Sequence, residues 1–274
     1  MTGPRTKAPD RAGSADLHIH SAASDGVASI DEILRHVQEA TDLDVIAITD
    51  HERVDAALAA RAMAAGRGYR FEVIVGEEIT TRGGHLLGLF LTEPVPPLRS
   101  LRWSIAAIHE QGGLAIPAHP LAPIPMCATA RSLRTLLGGS DPSVRPDGLE
   151  VFNATTAGRR GHDRAIAFAA EHELAGVGGS DAHLPTHIGQ GRTRFPGRTA
   201  GDLRRAIQTR DTAWEGTFLP PLAQVGMVGH QVRKYARDVR DEVRGKVRRD
   251  GTGRDLGYPG GRRRPARYEG DAGS

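Results

Sequence analysis

Nine side chains of the metal-ligating kind, six of them histidines, recur at seven places along these 274 residues, most at the end of a short apolar run. They are His18 and His20 in DLHIHS, Asp25 in ASDG, His51 in ITDH, Glu78 in GEEI, His85 in GGHLLGL, His119 in PAHP, and Asp181 and His183 in GGSDAH. Core packing does not call for imidazoles and carboxylates at the mouths of strand-like segments. A fold that makes use of this pattern has to bring many strand ends to one place. Parallel strands in a barrel do so, because their C-terminal ends share one face. His18 and His20, two apart on an extended segment, point to the same side of it.

The rest of the chain agrees with that constraint. Strand-like runs are expected at Asp16–His20, Asp44–Thr49, Phe71–Val75, His85–Leu91, Leu114–Pro117, Gly148–Phe152 and Leu174–Gly178. Helical periodicity fills intervals between them, at Ser29–Ala40, Arg53–Ala65, Ser100–Gln111 and Gly161–His172. Ser29 stands at an N-cap position, with Asp31 and Glu32 in the first turn. Such alternation predicts a parallel α/β arrangement. The runs at 71–75 and 85–91 lie too close together for a crossover helix, so they are expected to form a hairpin.

Charge is unevenly distributed. The whole chain carries a formal +3, but residues 216–274 hold thirteen Lys+Arg against seven Asp+Glu, which leaves 16–215 at −5. An acidic body suits a cation site built on carboxylates. Only Lys7, Lys234 and Lys246 are lysines, so the arginine richness reads as compositional bias and not as a nucleic-acid signal. Four segments are expected: a disordered N-terminal arm over 1–14, a catalytic body over 15–215, a helical extension over 216–250, and a disordered Arg/Gly-rich tail over 251–274. The N-terminal stretch has no apolar run of the secretory kind, no run reaches the roughly 18 residues a membrane helix needs, and Cys127 stands alone. A cytoplasmic location with no membrane partner is the expectation.

Imidazole and carboxylate ligands without thiolate suit zinc, manganese or iron. Asp50, beside His51, is placed to orient a ligand or to accept a proton. Signatures of other enzyme classes (HExxH, GxxxxGK[ST], GxSxG) are absent.

In this order, DLHIHS, ITDH, PAHP and GGSDAH resemble the motifs of the PHP (polymerase and histidinol phosphatase) domain family, over about residues 16–215. The resemblance implies a distorted (β/α)7 barrel, to which the charge count adds a basic C-terminal extension, and a centre of two to three divalent ions. His18, His20, Glu78 and Asp181 would hold one ion. Glu78 would bridge to a second, held also by His85 and His119, and Asp25, His51 and His183 would hold the third. It further implies phosphoesterase activity by metal-activated water, without a covalent enzyme intermediate. GEEITT and GHLLGLFL look closest to the small stand-alone branch, which includes members assigned to amide or carbamate cleavage; that is the alternative chemistry. A non-catalytic binding module is a third reading, against which the full ligand set argues.

Two features depart from relatives. Asp25 stands where some carry His, and the interval from Glu78 to His119 lacks the insertion found in relatives that act on nucleoside bisphosphates or short RNA ends. The expected partner is a small phosphorylated substrate or a short nucleic acid, and a partner for the tail has no support in the sequence. Arg159 and Arg160 are candidate phosphate clamps. Asn153 and His187 are candidate substrate contacts.

Overall fold

Residue 12 already belongs to a strand in the computed structural model, which describes residues 12–220. In chain order the elements are β1 (Ala12–Ile19), α1 (Ile30–Ala40), β2 (Val45–Ile48), α2 (Asp55–Gly66), β3 (Glu72–Thr81), β4 (Gly84–Leu89), α3 (Leu101–Glu110), β5 (Leu114–Pro117), α4 (Ala130–Leu137), β6 (Gly148–Asn153), α5 (Thr156–Glu171), β7 (Ala175–Gly179), β8 (Gly191–Pro196), α6 (Ala200–Thr209) and β9 (Ala213–Gly216). Seven strands form one curled sheet in the order β5-β4-β3-β2-β1-β8-β9, and β6 and β7 make a separate parallel pair.

The expected parallel arrangement holds for β1, β2 and β3 and for the β6–β7 pair. The hairpin is present too: β3 and β4 run antiparallel from Gly76↔Leu89 to Thr81↔Gly84. Unlike an all-parallel barrel, β4, β5, β8 and β9 all join antiparallel neighbours. Four elements lie outside the sequence expectation: α4, β8, α6 and β9. The β8 segment, GRTRFP, alternates buried and half-buried residues at the period of two that a half-covered strand shows. Arginines on its open face mask an otherwise plain signal. Helix α6 opens on a capping box between Thr199 and Asp202. Helix α5 starts five residues earlier than expected because the Thr155 side chain caps it at Gly158 N–H.

Two apolar layers hold the sheet. Ile19, Ile46, Ile48, Val73 and Val75 face helices α1 and α2 through Ile33, Leu34, Val37, Ala57 and Ala60. Leu17, Val45, Ala47, Ile74, Leu87 and Ile116 gather on the other side with Val177, Phe195 and Leu203. Strands β2 and β5 are buried on both faces, which is why they read as continuous apolar runs.

The β6–β7 pair is fastened on both flanks largely by side chains. Toward β5, Asp147 Oδ2 accepts the Ala115 N–H at 2.7 Å, and the Asp147 N–H donates to Ala115 O at 2.9 Å. Toward β8, the Thr193 hydroxyl both accepts from Gly178 N–H and donates to Gly178 O at 2.9 Å. Toward β1, the segment after β7 makes an isolated parallel bridge, Ile19↔Ala182. These fastenings bring the ends of β6 and β7 beside the end of β1.

No helix among the described residues is long and apolar enough to cross a membrane. The extension expected over 216–250 lies outside the described residues from 221 onward, as does the whole of the tail expected over 251–274. Strand β1 begins inside the arm expected over 1–14, and Ser14 is buried.

Candidate metal centre

The nine predicted ligands converge. His18 and the residue that follows β1, His20, are both fully buried and stand side by side, ring centroids 5.1 Å apart. His51 follows β2, Glu78 lies in β3, His85 lies in β4, His119 follows β5, and Asp181 and His183 follow β7. Asp25 arrives on the loop between β1 and α1. That loop is held by Asp50, whose Oδ1 accepts the Ser21 N–H at 2.7 Å and whose Oδ2 accepts the Ser21 hydroxyl at 2.6 Å.

Glu78 is the hub. Its Oε1 lies 2.7 Å from His85 Nδ1 and 3.1 Å from His119 Nε2. Its Oε2 lies 3.1 Å from His18 Nε2, 3.2 Å from His20 Nε2 and 3.5 Å from His51 Nε2. The two oxygens of one buried carboxylate thus serve two groups of imidazoles. Asp181 Oδ1 adds contacts of 3.6 Å to His18 and 3.3 Å to His20. Asp25 Oδ2 lies 2.9 Å from His183 Nε2 and 3.8 Å from His51 Nε2, while its Oδ1 lies 3.3 Å from His20 Nδ1. Four sets of three can each hold an ion: His18, His20 and Asp181; His20, His51 and Glu78; His20, Asp25 and His183; Glu78, His85 and His119.

Two observations fit this donor set to metal ions. Both ring nitrogens of His20 and of His85 are buried without a hydrogen-bond partner, although carboxylate oxygens stand within 3.3 Å of three of them. Such contacts lack hydrogen-bond alignment but suit lone pairs aimed at a common point. The spacing agrees: bonds of about 2.0–2.1 Å to a tetrahedral ion put neighbouring ligand atoms roughly 3.3 Å apart.

The electrostatics point the same way. Burial alone would strip His18 of its proton, yet Asp181, Glu78 and Glu150 outweigh it and raise the ring to about 10. Burial likewise opposes ionisation of Glu78, but His18 and His51 hold it well below the usual carboxylate range. Asp181 is held low by His18 and His20 against the same opposition. The carboxylates demand a compensating cation, which protonated imidazoles supply in the bare protein and which a divalent ion can supply in their place.

The PHP domain family model matches residues 16–119, and the PHP-associated model matches residues 159–212. An uncharacterized protein of Methanocaldococcus jannaschii is 36% identical over 151 residues, covering 51% of this chain and 81% of its own length. The chain belongs to the PHP family. A protein of Haemophilus influenzae named 5'-3' exoribonuclease is 26% identical over 227 residues, 81% of this chain and 74% of its own. Among solved structures, a two-domain Bacteroides vulgatus protein described as containing a "predicted PHP-like metal-dependent phosphoesterase" superposes with a TM-score of 0.61. It is 21% identical and covers 79% of this chain and 69% of its own.

Other residues singled out in this PHP chain fare differently. Asp50 is buried and bound to Ser21 and Ser24, so it braces the Asp25 loop and has no hydrogen bond to His51. Asn153 reaches the cluster but spends its amide inside the protein: Nδ2 donates to Glu150 and Asp181, and Oδ1 accepts from Thr155. It is therefore a brace, not a free substrate contact. The Arg159 guanidinium lies over the Phe218 ring, and Arg160 is exposed on α5. No hydrogen bond or ion pair joins either to the cluster among the described residues. His187 is buried on a short turn with Nδ1 unpartnered, and burial together with His183 pushes its proton affinity down.

Two buried acids escaped the sequence reading. Asp16, pushed up to about 6 by burial, accepts the N–H groups of Ser180 and Gly189 and so fixes the Asp181 segment against β1. Glu150 lies in β6 and touches His18. The signal for each was an acid inside an otherwise apolar strand, in ADLHI and GLEVF.

Proposed function

We propose that this chain is a metal-dependent phosphoesterase that hydrolyses a phosphomonoester or phosphodiester in a small or nucleotide-like substrate. The observation that carries the reading is Glu78, one carboxylate shared between two groups of imidazoles, which suits a centre of more than one ion. His18, His20, Glu78 and Asp181 would hold the first, Glu78, His85 and His119 the second, and Asp25, His51 and His183 a third. Bound divalent ions supply Lewis acidity toward a phosphoryl oxygen and make water acidic enough to ionise near neutral pH.

The protein's own part is to orient and to exclude. His18, His20 and Glu78 are sealed from solvent, whereas the side chains of Asp25 and His51 are 33% and 28% exposed. Substrate therefore enters from the Asp25–His51 side. His187, whose Nδ1 is unpartnered beside His183, is the candidate to meet a substrate oxygen there. The likeness to a protein named as an exoribonuclease supports including phosphodiesters of short nucleic acids among the substrates to try.

Elemental analysis of the purified protein, paired with a panel of nucleotides, short oligonucleotides, p-nitrophenyl phosphoesters and amide substrates, tests the reading. We expect bound zinc, manganese or iron and turnover of a phosphoester. Stoichiometric metal with turnover confined to amides would replace the phosphoesterase assignment.

A further inference from the structure

A buried carboxylate that belongs to none of the ligand groups touches the cluster. Glu150 sits in β6, a strand buried along its whole length, and is itself only 2% exposed. A carboxylate so placed is costly unless its oxygens are satisfied. Its Oε1 lies 3.0 Å from His18 Nδ1. Its Oε2 accepts the His119 N–H at 2.6 Å and an Asn153 Nδ2–H at 3.0 Å. Asn153 Nδ2 lies 3.3 Å from Asp181 Oδ2 as well. One side chain and its amide partner thus reach three of the nine cluster residues, on three different segments.

The surroundings are shaped around this contact. A Cβ at Gly179 would lie 2.6 Å from Glu150 Oε1 and 2.8 Å from His18 Cβ, so only glycine leaves room for the pair. His119 and Asp181 both adopt left-handed backbone, φ 29° and 53°, which is strained for non-glycine residues. Both are tied to Glu150, one through its N–H and the other through Asn153. When His18 donates Nδ1–H to Glu150, its Nε2 lone pair faces Glu78 and Asp181. That is the ring state and orientation a metal needs, and carboxylates in this position hold metal-ligating histidines in many proteins.

We infer that Glu150 is the positioning residue of the centre, setting His18, the His119 backbone and, through Asn153, Asp181 for metal binding without itself being a ligand. The inference rests on the metal-centre reading above. The test measures zinc(II) affinity by chelator competition, zinc stoichiometry by elemental analysis, and thermal melting of metal-free and zinc-loaded protein. The proteins compared are the full-length chain, Glu150→Gln and Asn153→Ala.

Glu150→Gln is expected to lower zinc affinity by about 10- to 100-fold and to shrink the melting increment that zinc confers. Asn153→Ala should do the same to a lesser degree. A merely structural role would lower both melting temperatures equally and leave the zinc increment intact, which would overturn the inference. Loss of one whole ion at saturating zinc in Glu150→Gln would make Glu150 a ligand and overturn it too. Should Glu150→Gln fail to fold, unchanged zinc affinity in Asn153→Ala would refute the Asn153–Asp181 arm, and reduced affinity with a reduced increment would support it. If the unaltered protein binds no zinc, manganese or iron, the metal-centre reading itself falls; if it binds them and the variants bind as tightly, only the present inference does.

Discussion

The two sides of the metal centre are built differently. On the inner side, His18, Glu78, His119 and Asp181 are buried and backed by Glu150, Asn153 and Asp16, with almost every polar atom engaged. On the outer side, Asp25 and His51 are about a third exposed, and Asp25 rides on a loop held by Asp50, Ser21 and Ser24. Under the proposed function, such a division would give a rigid seat for ions and a mouth that exchanges water for substrate. It also predicts that substitutions on the inner side abolish binding, while those on the outer side retune turnover.

The largest effect is expected at the hub. Glu78→Gln removes a carboxylate shared by five imidazoles, and phosphoester turnover should fall more than about 100-fold, beyond what supporting residues give. Retention of metal and rate would break the comparison at its centre. Asp181→Asn should come next, with a loss of bound metal by elemental analysis and turnover down by at least about tenfold.

Asp25→Asn sharpens the contrast. It should lower turnover while the ions centred on Glu78 stay bound, so stoichiometry should fall by no more than one ion. Loss of all metal would show that the outer side is part of the seat.

The smallest effect serves as a control far from the centre. His109 Nε2 lies 2.8 Å from Asp147 Oδ2, and that contact raises the ring above its ordinary value of 6.5. A raised histidine contributes stability that is whole below about pH 6.5 and is lost as pH rises through the folded value. His109→Gln should therefore flatten the fall in melting temperature across that window by about 2 °C. Turnover should not change with it.

Much of this was legible in the chain because ligand chemistry leaves a signature that packing does not. His18, His20, His51, His119, Asp181 and His183 lie in short motifs at strand ends, and the structure brings all of them together. Element positions followed from periodicity wherever strands were apolar on both faces, as at Leu114–Pro117. Strand β8 was lost because Arg192 and Arg194, on its open face, break up the apolar run, and α6 because only Leu203, Ala206 and Ile207 are buried along it. Glu150 and Asp16 were missed for a different reason. A single acid in an apolar run looks like the solvent side of a strand until its partners, 132 and 164 residues away, are known.

The β6–β7 pair has no continuous ladder to either neighbour, and its flanks are closed by Asp147, Glu150 and the Thr193 hydroxyl. A border held at a few side-chain rivets has fewer bonds to part than one stitched by a continuous peptide ladder. In mild denaturant the wedge bearing Asn153 and Asp181 should loosen before the seven-stranded sheet unravels. Amide exchange at Ala115 and His119 would then quicken ahead of that at Ile46 or Ile74, giving early warning that the cage is about to open.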